Sequence, residues 1–393
     1  MAHLLVRVFE TLSILGCVAS FFYYRFCLWS ARAFLRSADA ADYASLGASQ
    51  PPVTILKPLK GIDPEIYASF QSHCLQDYPA GYEIVFGVSD PADPAVARVE
   101  QLQHEFPERP IRLVVCPKIL GANVKVSNLE QMLAASRFEY IVVNDSDIRV
   151  ERDYLRRVIP PLTDGKVGMV TCLYRGIASR TLGSRLESLG ISTDFCAGVL
   201  AACQLEGGLR FGLGSTLAFR RTDLERIGGF KSMVEFLADD YELGKRIWGL
   251  GLKVVLSDVV VETHLPAYDL PGFIAHQMRW ARGVRDARLG GYIGLAATFG
   301  VFWGLLNLVS FGAVPWTWAL LVALLILRLA VALRVGRTVL RDRQMLRGLG
   351  LIPIRDLIAV GVWLASFAGH TVTWRGDKFE LKDGRLIRLA QSD

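Results

Sequence analysis

Charge is what this sequence has least of. Only 21% of its 393 residues are Asp, Glu, Lys or Arg, 52% are hydrophobic, and the mean hydropathy is +0.32. An ordinary soluble enzyme carries more charge, so the deficit points to membrane-spanning segments. Paired cysteines are lacking too. The seven cysteines are odd in number and form no C-x-x-C pair, which argues against a disulfide framework and against a zinc site. Cys17 and Cys27 lie in or near the first apolar segment, and the rest are scattered through the central region. A reducing, cytoplasmic setting for that region accounts for them. His73, His104 and His264 lack metal-ligand spacing and read as structural. There is no nucleic-acid-binding signature, no internal repeat and no low-complexity segment. The net charge of +6 is modest. Its Lys and Arg gather beside the apolar segments, which suits an anionic membrane surface better than nucleic acid.

What is present begins with apolar runs toward both ends. Leu4 to Trp29 is mostly apolar and is uncharged from Thr11 to Tyr24. Arg25, Arg32 and Arg36 follow it, and the small-residue pattern of a cleavable signal peptide is not clear. The segment therefore reads as a transmembrane anchor with its N-terminus outside. Tyr292 to Leu333 is almost wholly apolar, and Gly312–Pro315 divides it into two spans. Each is near the ~20 residues a bilayer needs. Arg334, Arg337, Arg341, Arg343 and Arg347 come next, as on a cytoplasmic side. A last apolar run, Leu357–Ala368, is short and reads as interfacial or re-entrant. The basic tail after it carries Arg375, Lys378, Lys382, Arg385 and Arg388.

Between the membrane segments the pattern is doubly wound. A polar linker, Ser37 to Gln50, precedes a strand at Val53–Leu56. Asp63-Pro64-Glu65 resembles a helix start, with Asp as N-cap and Pro at the first helical position. Strands follow at Glu83–Val88 and Ile111–Val115, with helices from Asp93-Pro94 and through Val124–Arg137. This alternation predicts a parallel α/β sheet. Further on, Gly207–Gly214 is glycine-rich and Ser215–Phe219 reads as a strand. Thr222 to Glu225 forms a capping box. A helix starts at Ala238-Asp239-Asp240-Tyr241, and a strand lies at Lys253–Leu256. Pro271 opens a helix carrying His276, Gln277, Arg279 and Trp280.

The chemistry sits at strand ends. Tyr140-Ile141-Val142-Val143 is a buried-strand sequence that stops at Asn144-Asp145-Ser146-Asp147. In such sheets ligands bind beyond the carboxyl ends of the strands. The spacing of Asp145 and Asp147 aims two hard oxygen donors at one point, which suits Mg²⁺ or Mn²⁺ holding a diphosphate. An acidic turn after a strand gives the same letters. Asp90 follows the strand Glu83–Val88 and so ends it on the same rim. Asp240 lies at a helix N-terminus, where the dipole favours an anion, and could accept a proton; capping alone would also explain Asp239-Asp240. His276, Arg279 and Trp280 share one helical face. Arg279 could stabilise a leaving diphosphate, and Trp280 could stack on a ligand or sit at the membrane interface. An amphipathic helix on the membrane, with Arg282, Arg285 and Arg288 toward headgroups, is the plainer account.

Together, Asp90, Asp145-Ser146-Asp147, Asp239-Asp240 and His276-Gln277-Met278-Arg279-Trp280 resemble the pattern of processive-type inverting glycosyltransferases of the GT-A fold. Lys57-Pro58-Leu59-Lys60-Gly61-Ile62-Asp63-Pro64, Asp77-Tyr78-Pro79 and Asp145 to Val150 are similar to motifs of the ceramide glucosyltransferase family. His276 departs from the plain Q-x-x-R-W form, with Gln277 one place later. Bacterial hopanoid-biosynthesis glycosyltransferases resemble the chain nearly as well.

The resemblance implies an α/β domain of GT-A type, doubly wound and mostly parallel, with transmembrane helices N- and C-terminal to it. The expected divisions are an anchor at 1–36, a linker at 37–50, the catalytic domain at 51–270 and an interfacial helix at 271–291. Two spans at 292–333 and a basic, partly interfacial tail at 334–393 complete them. Lys57, Pro58, Asp90, Lys125, Asn128 and Asp145 are implied to bind a nucleotide sugar, and Asp145 and Asp147 to hold Mg²⁺ or Mn²⁺. Asp240 is the implied base. Asp239, His276, Gln277, Arg279 and Trp280 are implied for the diphosphate and acceptor. The implied reaction moves glucose from UDP-glucose to ceramide at a bacterial inner membrane, with the catalytic domain cytoplasmic. Transfer of N-acetylglucosamine to bacteriohopanetetrol is one alternative; a silent, membrane-tethered nucleotide-sugar binding protein is another.

Overall fold

The computed structural model describes residues 2–39, 50–374 and 377–389. Most of the expected 37–50 linker, and Arg375 of the tail, lie outside the described residues. Helix α1 (Ala2–Asp39) is followed by β1 (Val53–Pro58), α2 (Ile66–Cys74), β2 (Tyr82–Val88), α3 (Ala95–Glu105), β3 (Ile111–Val115), α4 (Val124–Ala135) and β4 (Tyr140–Val143). Next come β5 (Ile148–Arg149), α5 (Tyr154–Val158), β6 (Val167–Ile177), α6 (Leu182–Gly190), α7 (Cys196–Leu205), β7 (Leu217–Arg220), α8 (Arg221–Arg226), α9 (Asp239–Gly249) and β8 (Lys253–His264). The rest holds α10 (Leu270–Ala287), α11 (Leu289–Gly294), α12 (Gly300–Ser310), α13 (Pro315–Ala332), α14 (Ile352–Ser366), β9 (Thr371–Trp374), β10 (Asp377–Lys382) and β11 (Arg385–Arg388). These elements fall into two compact units. A sheet unit draws on 37–177, 202–266 and 384–393, and a helical unit on 1–36, 178–201 and 267–383. The stretch 178–201, inside the interval expected for the catalytic domain, thus packs with the helical unit.

In the sheet unit, eight strands run in the order β3-β2-β1-β4-β7-β6-β8-β5. The first four pair in parallel, as the strand–helix alternation predicts. Every residue of β1 and β2 is buried, as befits strands covered on both faces. Beyond β4 the sheet is mixed, because β7 pairs antiparallel to both β4 and β6. The sheet is α/β and mostly parallel, as expected, with its antiparallel pairings confined to the second half. Strand β6 has no counterpart in the sequence reading. Its run is broken by Gly168, where a Cβ would lie 2.6 Å from Ile247 and 2.8 Å from Leu252. Close packing there demands the glycine that hides the strand. Strand β8 is also far longer than Lys253–Leu256, because Asp258 and Val259 are passed over in the pairing register.

Local capping differs at two places. Asp63 does not cap α2; its carboxylate accepts from Ser146 Oγ, and α2 begins after Glu65, whose φ is 54°. Thr222 donates its hydroxyl to Glu139 at 2.7 Å, so the expected capping box at Thr222–Glu225 does not form. By contrast, Asn123 caps α4 and Ala238 precedes α9, which starts on Asp239 and Asp240.

In the helical unit, α1 is a continuous helix of 38 residues. Among the described residues, four helical stretches are long and apolar enough to cross a membrane: Val6–Ala38, Leu182–Leu205, Pro315–Val339 and Gln344–Ser366. A broken pair, Leu289–Thr298 with Gly300–Ser310, meets the same test with a bend of 58°. The short apolar run at Leu357–Ala368 is therefore the end of a longer helical stretch, since Met345, Leu349 and Ile352 extend its apolar face. Buried charges tie these helices together. Arg328, 3% exposed, donates to both oxygens of Asp356 at 2.7 and 2.9 Å and to the carbonyl of Thr193 at 3.0 Å. Arg285 does not face headgroups. It is 5% exposed and donates to the carbonyls of Ser366 and Gly369, closing the end of α14.

The site helix α9 is docked on the glycine-rich segment. A Cβ on Gly244 would lie 2.2 Å from the backbone nitrogen of Gly212. Gly244→Ala therefore forces backbone apart, and the expected cost is about 1–3 kcal/mol. It is read as a lowered melting temperature of the purified full chain; an unchanged melting temperature contradicts this packing.

Candidate active site

Strand β4 ends at Val143, and the chain turns sharply through the acidic pair. The turn is held from below by Asn144, wholly buried, whose Nδ2 donates to the Ser215 carbonyl at 2.7 Å and to Tyr154 Oη at 3.0 Å. His73, also buried, lies 3.3 Å from Asn144 Oδ1 and 2.8 Å from the Ser69 carbonyl, which gives it the structural role expected. With the turn fixed, Asp145 and Asp147 project from it. Thr263 Oγ1, on β8, donates to Asp147. Burial pushes the Asp147 carboxyl up to about 6, and the charge of Asp145 adds to that.

Two lysines meet this pair. Lys57, wholly buried on β1, donates to the Asp145 carbonyl at 2.9 Å. Burial lowers its ammonium to about 7, against the pull of Asp147 and Asp145. Pro58 follows it, buried at the end of β1. Lys125, at the start of α4, pairs with Asp145 Oδ1 at 2.8 Å and with Asp239 Oδ2 at 3.2 Å. Burial alone would lower the Lys125 ammonium, but Asp145 and Asp239 outweigh it and raise it. Lys125 thereby joins the β4 turn to the N-terminus of α9.

Asp240 begins the same helix. Its Oδ1 accepts from the Tyr241 amide at 2.8 Å. Burial, then the neighbouring charge of Asp239, raise its carboxyl above the ordinary carboxylate range, with Lys125 opposing. Gly214 marks the space between the acids: a Cβ there would stand 3.1 Å from Asp240 Oδ2 and 3.5 Å from Asp145 Oδ2. Any side chain at 214 would occupy that gap.

The structure thus brings Lys57, Lys125, Asp145, Asp147, Asp239 and Asp240 into one constellation. Asp90 takes no part in this network. It is exposed after β2, and its Oδ1 accepts from the Ala92 amide at 2.9 Å. Asn128 is buried on α4 and receives the Ser89 hydroxyl at 3.0 Å, behind that same strand end. For a divalent cation the donor set is two oxygen-donating carboxylates, Asp145 and Asp147, with Asp147 destabilised as an anion by burial. That is a pair of hard oxygen ligands, and it fits Mg²⁺ or Mn²⁺. Among the described residues no group of three or more His, Cys, Asp or Glu side chains could hold a metal unaided. The remaining ligands would have to come from substrate phosphate and water.

In the helical unit, α10 carries the other motif. Gln277 Nε2 donates to Glu187 Oε2 at 2.7 Å, and His276 Nδ1 lies 3.4 Å from Glu187 Oε1. Glu187 is 3% exposed. His276 also stacks on Tyr268 with centroids 5.3 Å apart, and Trp280 meets Phe195 edge-on at 5.7 Å. Arg279 is half-buried on the same helix. Sequence reading missed Glu187. The available signal was an acid inside the apolar stretch Leu182–Leu205, since a carboxylate in such a run is retained only with partners.

A family model, glycosyl transferase family 21, matches residues 12–387. Ceramide glucosyltransferase 3 of Caenorhabditis elegans is 23% identical over 236 residues, covering 60% of this chain and 51% of that protein. The ceramide glucosyltransferase of Komagataella phaffii is 35% identical over 114 residues, 28% of this chain and 22% of that one. The chain spans about half or less of the length of these curated relatives. A mannosyltransferase from Pyrobaculum calidifontis, solved with GDP-Man and Mn²⁺, shares the fold with a TM-score of 0.56 at 22% identity, covering 91% of this chain and 99% of that one.

Lys125→Met leaves Asp145 and Asp239 facing each other without a cation. The expected loss is about 1–3 kcal/mol, discounted for the partial exposure of Asp145. Millimolar Mn²⁺ should restore part of it if the acids take a cation. Thermal unfolding with and without Mn²⁺ measures both. Wild-type stability in the variant removes Lys125 from its bridging role.

Proposed function

The chain belongs to glycosyl transferase family 21, and from that premise we propose that it is a membrane-bound inverting glycosyltransferase moving a sugar from a UDP-sugar to a lipid hydroxyl. Glucose from UDP-glucose to ceramide is the pair we favour. The observation that carries this reading is the gap beside Gly214, faced by Asp145 Oδ2 and Asp240 Oδ2. One acid there can serve the donor diphosphate and the other the attacking hydroxyl.

Asp145 and Asp147 would hold the divalent cation, which neutralises diphosphate charge when bound. Lys125 keeps Asp145 and the α9 acids in register. Asp240 takes the proton of the lipid hydroxyl as that oxygen attacks the anomeric carbon, opposite the departing diphosphate. A carboxyl raised by burial and by Asp239 is a stronger base than an ordinary carboxylate. Arg279 is assigned to the leaving diphosphate, and His276 with Trp280 to the acceptor. Glu187 sets the orientation of His276 and Gln277. The clusters Arg25, Arg32, Arg36 and Arg334 to Arg347 favour a cytoplasmic catalytic unit, and the membrane we assign to it is a bacterial plasma membrane.

Two measurements test this. UDP release is assayed with ceramide, bacteriohopanetetrol or diacylglycerol against UDP-glucose and UDP-N-acetylglucosamine. Release that requires UDP-glucose and ceramide is expected. Release only with the hopanoid and UDP-N-acetylglucosamine reassigns the substrates, and none with any pair contradicts the enzyme. Calorimetry gives the metal: Asp147→Ala should weaken UDP binding in Mn²⁺ by roughly tenfold or more. Unchanged, metal-dependent affinity in the variant would sink that assignment.

A further inference from the structure

A cavity of about 510 Å³ opens within the helical unit, lined in part by Arg180, Arg185, Arg347, Ser188, Leu189 and Met345. It lies at the beginnings of two helical stretches apolar enough to cross a bilayer, Leu182–Leu205 and Gln344–Ser366. Its chemistry is two-sided. Leu189 and Met345 belong to a buried apolar cluster with Ala332 and Ile352 and form an apolar wall. Arg180, Arg185 and Arg347 are exposed, and among the described residues none of the three pairs with a carboxylate. Among the described residues no acid lines the cavity. Asp342, the acid nearest in sequence, is turned away: it is buried, accepts from Ser192 Oγ at 2.7 Å and caps the Gln344 amide at 2.8 Å. Glu187, one residue before Ser188, is taken by His276 and Gln277.

Three unpaired guanidiniums beside an apolar wall, at the ends of membrane-length helices, match one class of ligand. It must carry a phosphate and an acyl chain together. We propose that this cavity binds the headgroup of an anionic glycerophospholipid, with the phosphate on Arg180, Arg185 and Arg347 and the upper acyl chain against Leu189 and Met345. The neighbouring Arg334, Arg337, Arg341 and Arg343 add positive field at the same stretch of chain. The site is distinct in its residues from those proposed for catalysis, so it would regulate or anchor rather than react. It rests on the reading of these helices as membrane-embedded, not on the identity of donor or acceptor.

The purified full chain in neutral detergent is titrated with phosphatidylglycerol, phosphatidylcholine or inorganic phosphate while its melting temperature is followed. Phosphatidylglycerol is expected to raise the melting temperature and the other two to leave it in place. In Arg185→Gln/Arg347→Gln the half-maximal phosphatidylglycerol concentration should rise roughly 30-fold. The lipid-free melting temperature and UDP affinity of that variant should match wild type. Should the double variant misfold, Arg180→Gln alone is expected to shift the titration about fivefold. A wild-type titration in a folded variant overturns the proposal. So does an equal response to phosphatidylcholine, which means a general lipid effect, or to inorganic phosphate, which means a free-anion site.

Discussion

The ion pairs of Lys125 with Asp145 and Asp239 are the constraint on which the site depends. Four acids approach one another at the rim of the sheet, and each carboxylate added there raises the cost of ionising the next. One ammonium at the start of α4 offsets that repulsion and joins two segments nearly a hundred residues apart in the chain. It does so without filling the gap between Asp145 and Asp240. Lys57 acts from beneath in a different way, donating to a carbonyl and so fixing the turn rather than neutralising a side chain.

Glycines and amides complete the frame. Gly212 and Gly244 bring two backbones into contact that no Cβ would allow, which seats the N-terminus of α9 beside the β4 turn. Gly214 keeps the space between the acids open. Asn144 satisfies itself entirely within the protein, so the turn ahead of Asp145 is held by buried hydrogen bonds that water does not compete for. In the helical unit the same economy appears with charges: Arg328 and Asp356, buried together, hold helices whose apolar faces alone specify little about register.

What could be read in the sequence was local. Strand β3 has the expected ends, and α9 starts on the acids expected, because strand composition and helix N-termini are written in neighbouring residues. The grouping of Asp145, Asp147, Asp239 and Asp240 followed from strand-end logic and from family resemblance. What escaped was non-local. Strand β6 is disguised by a glycine that packing demands, and β8 by two residues passed over in its register. Lys125 was named only through resemblance, since nothing near it in sequence announces its two acidic partners. Glu187 was passed over because its partners lie some ninety residues away. Asp63 looked like a helix cap and instead holds Ser146, since a carboxylate takes whichever donor the fold presents.

The central claim is that the acids around Gly214 divide the work, with Asp240 taking the proton and Asp145 and Asp147 serving the donor. Asp240→Asn keeps the shape of the side chain and removes its basicity, so turnover and UDP-sugar affinity of the purified full chain should be measured side by side. The account predicts a fall in kcat on the order of 10²–10⁴ with donor affinity little changed. Retention of more than about a tenth of wild-type turnover would contradict it and transfer the role to another residue, with Asp239 the next to substitute.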